Sequence, residues 1–284
     1  MSHSAFSQDV ESFGVFGGFN VPITFDEGLQ KDPRFIGKVT LRGTPVGFSY
    51  GYDRVAFGFI ISPSFAKIGQ YFILENTVGG DVGTREVKLD YFSIPVTLKL
   101  HLNDMAFFRL SAVAALNFNY LISGKEIINH TAAKLNYPQG VKIPTDPGYT
   151  EVFDGVLVPE VINQEYVSMD KYNSFQLFAA VGLRSDFDLN DDWSLNFDGR
   201  ANFGFFDPRK KEYLNQLKQT TNAPDLYGSR REVYLSAQIG IARIIQIKKN
   251  FEPKPSSKPV ATFKPSGPKV NSKKLFTKKK KKKN

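Results

Sequence analysis

Apolar and polar residues alternate with a period of two through long stretches of this chain. In Phe107–Ser123, one side carries Phe108, Leu110, Ala112, Ala114, Leu116, Phe118, Tyr120 and Ile122. The other carries Arg109, Ser111, Val113, Ala115, Asn117 and Asn119. A helix would mix these sets, whereas a strand separates them because successive side chains point to opposite faces. In Leu89–Leu102 the apolar set is Phe92, Ile94, Val96, Leu98, Leu100 and Leu102. Around the turn Asn190-Asp191-Asp192, Phe175, Leu177, Ala179, Val181 and Leu183 share a face, as do Trp193, Leu195, Phe197, Ala201, Phe203 and Phe205. A last strand over 232–247 sets Val233, Leu235, Ala237, Ile239 and Ile241 on one side, with Arg243 breaking that side at an expected interfacial position or bulge.

Three earlier strands complete the pattern, over 12–24, 41–52 and 55–74. Their apolar sets are Phe13, Val15, Phe19 and Val21; Val46, Phe48, Tyr50 and Tyr52; and Val55, Phe57, Phe59, Ile61 and Phe65. The third loses phase near Lys67, which predicts a bulge or a protrusion above the membrane there. The count is eight. Connections at Asp53-Arg54, Asn103-Asp104 and 190–192 are short, and those near 25–40, 75–88, 124–172 and 207–231 are long. Short turns at one end and long loops at the other are the habit of barrels in the bacterial outer membrane, and put both termini on the periplasmic side. The expected fold is all-β: an eight-stranded antiparallel up-and-down transmembrane β-barrel over 9–248.

Composition sharpens this reading. The polar faces are rich in Gly, Ala, Ser and Asn, which suits a narrow lumen. A soluble barrel of lipocalin type would turn its polar face to water and carry more Lys and Glu there. Aromatic residues make up 14%, with 26 Phe and 12 Tyr, and no apolar run approaches the ~18–20 residues of a spanning helix. There is no Cys, so disulfides, thiolate metal sites and Cys nucleophiles are excluded. Of the net charge of +9, residues 249–284 carry +12 and residues 1–248 carry −3. The basicity belongs to a Pro/Lys/Ser tail ending in Lys278–Lys283. Its composition predicts a disordered, periplasmic segment that tethers to an anionic polymer; no nucleic-acid partner is expected for the barrel. The octet 1–8 resembles the end of a secretory signal peptide and is read as its remnant.

Candidate chemistry is sparse. Lys99, Arg109, Arg184 and Arg200 with Asp186, Asp188 and Asp198 fall on inward faces and are expected to form a lumen ion-pair network, because buried charges must pair. Arg209, Lys210, Lys211, Arg230 and Arg231 in the last long loop are candidate contacts to outer-membrane lipid, lipopolysaccharide above all. His3, His101 and His130 are far apart in sequence and suggest no metal site. A lipid-modifying barrel enzyme would need a His with a nearby Ser and acid, a set the sequence does not assemble. No catalytic residue or cofactor is expected.

Asp90-Tyr91-Phe92-Ser93-Ile94-Pro95-Val96-Thr97-Leu98-Lys99 resembles the Y-x-x-I-P-x-x-x-K strand of the PorT-like outer-membrane β-barrel family. Gly-rich Phe13–Phe19 is similar to that family's first strand, Phe57–Gly69 to its third, and Ala179–Leu183 to the strand after its long loop. The resemblance covers 12–247 and implies an OmpA-like eight-stranded barrel, some of whose relatives serve protein secretion or gliding machinery. The basic tail departs from the family pattern. The expected role is a non-enzymatic anchor, assembly or scaffold component of a gram-negative cell envelope. The alternatives are a lipid-modifying small barrel and a narrow gated channel.

Overall fold

The computed structural model describes residues 9–247, apart from 33, 44–45, 76–79, 106, 132–134, 137–148, 154–155, 160–162 and 220–226. The expected signal-peptide remnant at 1–8 and the expected disordered tail at 249–284 lie outside the described residues. The strands are β1 (Asp9–Asp26), β2 (Phe35–Lys38), β3 (Val46–Asp53), β4 (Phe57–Ile61), β5 (Ser64–Ile68), β6 (Tyr71–Glu75), β7 (Asp81–Met105) and β8 (Phe108–His130). After these come β9 (Leu135–Asn136), β10 (Tyr149–Phe153), β11 (Val156–Pro159), β12 (Asn163–Val167), β13 (Phe175–Asp188), β14 (Trp193–Gly204) and β15 (Arg230–Ile247). Among the described residues two α-helices, α1 (Glu27–Gln30) and α2 (Lys211–Gln219), and a 3-10 turn at Met169–Lys171 sit in the connections.

Antiparallel pairing closes a ring. It passes from β1 to β3, to β4 and β5, then to β7, β8, β13, β14 and β15, and returns to β1. β4, β5 and β6 lie end to end along β7, so they form one interrupted stave, and among the described residues the ring counts eight such staves. The interruptions are local. Pro63 has no N–H to give the ladder. Gly69 adopts φ +105°, where a Cβ would stand 2.4 Å from the Val87 carbonyl oxygen. The loss of phase expected at Lys67 thus falls two residues later, at a position only Gly fills without strain.

Through the middle of the wall the faces match the alternation. Phe48, Phe59, Leu98, Phe118, Val181, Phe197 and Ile239 are exposed on the outside, while Thr97, Ser111, Asn117, Asn119, Asn196 and Asn202 are buried inside. Arg243 stays on the outer face, between Phe13 and Trp193 in the ladder, and no bulge was needed to place it. Among the described residues no helix is long and apolar enough to cross a membrane.

Two long connections are shorter than expected. The loops expected at 75–88 and 124–172 are cut back, since residues 81–88 continue β7 and 124–130 continue β8. β7 has 25 residues, about 80 Å of extended chain, where a tilted membrane-crossing strand needs about 9–11 residues. Above Phe92 the polarity of the alternation inverts. Thr84, Glu86, Lys88 and Asp90 face outward, while Arg85, Val87, Leu89 and Tyr91 are buried inside. A wall with a polar outer face and a greasy inner one is a wall in water. With Ile68, Phe72, Leu121, Val167, Tyr172 and Phe178, inward Val87, Leu89 and Tyr91 form an apolar core inside the loop half of the barrel. β2 and β6 on one side, and β12 on the other, extend this raised sheet.

Candidate functional site

The charged residues expected in the lumen do meet, at the short-turn end. Lys99, inward on β7, donates to Asp53 at 2.7 Å and lies 3.5 Å from Asp186. Arg184 and Asp198, opposite one another across β13 and β14, are 3.6 Å apart. Arg184 also pairs with Asp186 at 2.9 Å, and Arg200 donates to Asp198 and to the Thr97 hydroxyl at 2.8 Å. Arg109 is half-buried, 3.2 Å from Asp104 and 3.9 Å from Asp53. Asp188 alone of the seven stands outside the ion pairs; it is exposed at the rim. It lines, with Asp53, Lys99, Arg109, Arg184 and Asp186, a cavity of about 310 Å³ open at that end.

Asp53 is the hub that sequence reasoning missed, because a residue in a tight turn reads as a turn former. Its place at the inward end of β3 is what signals its role. It also brings His101 and Ser111 into view: His101 Nδ1 is 2.9 Å from the Ser111 hydroxyl, and Nε2 is 3.7 Å from Asp53. The Ser/His/acid set that the sequence could not assemble thus exists in space. Its geometry is unsuited to nucleophilic attack, since 3.7 Å is beyond a hydrogen bond and Ser111 is fully buried without lining the cavity. Among the described residues no group of three or more His, Asp or Glu is placed to hold a metal ion.

A second charged layer closes the loop end. Glu126 accepts from Arg85 at 2.7 Å, from Arg230, and from the hydroxyls of Tyr172 at 2.7 Å and Tyr166 at 2.8 Å. Arg230 also donates to Asp26 at 2.6 Å, while Asp26 caps α1 through the amides of Gly28 and Leu29. Arg209 pairs with Asp207 and donates to the Gly228 carbonyl at 2.6 Å. This corrects the sequence reading of the last loop: Arg209 and Arg230 are buried in ion pairs and hold the loop down, so neither meets an anionic surface. Lys211 and Arg231 remain exposed, and Lys210 partly so.

Burial opposes charge on Glu126, yet Arg230 and Arg85 outweigh it and hold the carboxyl well below the usual range. At Asp26 burial is likewise outweighed, by Arg230, Arg209 and Arg85, and the pKa is lowered. His130, at the end of β8, is pushed from its ordinary 6.5 down to about 4 by burial and then by Arg34. The folded state keeps His130 neutral while the unfolded chain takes up a proton, so stability falls as pH drops from about 6.5 to about 4. The carboxylates act lower, their stabilisation fading as pH falls through their depressed values. Urea unfolding at stepped pH should show both phases, and His130→Asn should flatten the upper one; an unchanged slope would remove His130 as the cause.

A closed ring of strands, apolar outside and filled inside, is a membrane-spanning β-barrel. Residues 4–208 match the family of the outer membrane protein beta-barrel domain, and the chain belongs to that family and to the outer membrane. No curated protein matches it. Among solved structures it is similar to the N-terminal beta-barrel domain of Pseudomonas aeruginosa OprF, at 8% identity over 84% of this chain and 100% of that one, with a TM-score of 0.34. It is similar also to Ail of Yersinia pestis (12%, 82% and 98%, TM-score 0.31) and to OprG of P. aeruginosa (9%, 85% and 97%, TM-score 0.33).

Proposed function

We propose that this barrel works through its surfaces, as a non-enzymatic anchor or assembly scaffold for an envelope complex. The observation that carries the reading is the filled lumen. An ion-paired layer, an Asn layer at Asn117, Asn119 and Asn202, the apolar core and the Glu126 layer succeed one another along the interior. Beyond the cavity at the short-turn end, a small barrel packed in this way has room for side chains and little else, which disfavours the narrow gated channel. The buried Ser111 disfavours the lipid-modifying enzyme. The orientation that fits the loop lengths puts the short turns and both termini in the periplasm and the raised sheet with α2 outside the cell. The tail would then meet periplasmic anionic polymers, and Lys210, Lys211 and Arg231 the outer-leaflet lipid.

The likeness to the PorT-like family favours secretion or gliding machinery as the process. Its motif is structural, since Tyr91 lies in the apolar core and Lys99 in the lower charged layer. In a mild-detergent extract the protein is expected to migrate in an assembly larger than the barrel, and deletion of 211–219 to release it while the barrel stays folded. Release without the deletion, stable single-channel current, or turnover of lipid A or phospholipid by the purified barrel would each overturn the proposal.

A further inference from the structure

We infer that the outer wall of the barrel carries a built site for a phosphorylated lipid headgroup, in a groove between the segment 41–43 and strands β5 and β7. This deepens the proposed contact with outer-leaflet lipid and rests on that orientation for the choice of lipid. The groove has a volume of about 370 Å³, and Arg42, Lys67 and Lys88 line it together with Glu86 and Asp90.

Its height is fixed by the strands. Phe65 and Phe92, paired in the ladder with rings 5.4 Å apart, face the lipid side. Lys67 and Asp90 are the next outward pair toward the loop end, where the outer face turns polar. A groove one step above the last lipid-facing aromatics lies at the level of headgroups.

Its charges are held but incompletely satisfied. Arg42 is pinned by its Nε donating to the Gly69 carbonyl at 3.1 Å and by an ion pair with Glu86, and its second terminal nitrogen, Nη2, has no hydrogen-bond partner. Lys67 faces Asp90 across the ladder without forming an ion pair, and its stem lies so close to Gly43 that a Cβ there would stand 2.5 Å from Lys67 Cδ. Lys88 shares Glu86 at 2.9 Å, and Lys125, opposite it on β8, is engaged by Glu165 at 3.9 Å. Two donors without acceptors, gathered beside Lys88 at headgroup depth, fit a phosphate monoester on a lipid, whose oxygens accept several charge-assisted hydrogen bonds at once.

The test uses the full barrel in a zwitterionic detergent, with bound lipid read by native mass spectrometry. Bisphosphorylated lipid A should be retained, and Arg42→Gln/Lys67→Gln should weaken it at least tenfold while heat-modifiable gel migration shows the barrel still folded. Dephosphorylated lipid A should bind the wild-type protein as weakly as lipid A binds the variant. Equal retention by the variant, or by dephosphorylated lipid A, would overturn the site. Displacement by an equal concentration of inorganic phosphate would overturn the lipid assignment, and preference for phosphatidylglycerol over lipid A would do the same by pointing to the inner leaflet. Loss on Lys210→Gln/Lys211→Gln instead would move the contact to the loop and refute the groove, leaving the broader lipid contact standing.

Discussion

Glu126→Ala is expected to cost about 3–5 kcal/mol of stability, the usual penalty for deleting one member of a buried ion cluster. The carboxylate is fully buried, as are Arg85 and Arg230 on either side of it. Its removal takes away the counter-charge that both guanidinium groups share and the acceptor for the Tyr166 and Tyr172 hydroxyls. Arg85 would retain its packing over the rings of Phe35 and Tyr166, with centroids at 5.2 and 4.9 Å. Such contacts contribute about 0.5–2 kcal/mol, less than the ion pair they would have to replace. Urea unfolding of the vesicle-inserted protein measures the loss. A change below about 1 kcal/mol would mean that the cluster is not a stabilising unit.

The lower layer makes a second, comparable prediction with a built-in control. Asp198→Ala leaves Arg184 and Arg200 facing one another in the lumen and should destabilise by about 3 kcal/mol or more. Converting the pair together, Asp198→Leu with Arg200→Met, removes both charges and restores apolar packing, so most of that loss should be recovered. Heat-modifiable migration on gels gives the midpoint for each variant. If the double substitution is as damaging as the single one, the layer's contribution is specific geometry rather than charge balance.

Much of the fold was legible because lipid imposes a strict rule. Where the wall is bathed in hydrocarbon, outward positions are uniformly apolar, and Phe108–Ile122 or Phe175–Leu183 can be read as strands at sight. Where the wall rises into water, the rule reverses. Thr84-Arg85-Glu86-Val87-Lys88-Leu89-Asp90-Tyr91 alternates as regularly as any lipid-facing strand, with the opposite sign. A reading tuned to one sign assigns it to a loop. That choice hid Arg85 and Glu126, and with them the layer that buries Arg230. The seven lower charges were legible because they interrupt an inward face of small residues; six meet as expected, and Asp188 remains at the rim. The turn at Asn103-Asp104 fell short for a simpler reason, since β7 continues to Met105.

The reversal along β7 between Phe92 and Asp90 has a mechanical side. One step of the strand carries the outer surface from grease to charge while the interior changes the other way, so the barrel has a waterline drawn on it. Sinking by a single residue pair would drag Lys67 and Asp90 into oil, and rising by one would strand Phe65 and Phe92 in water. Such a body cannot bob; a bilayer of a different thickness has to pucker around it.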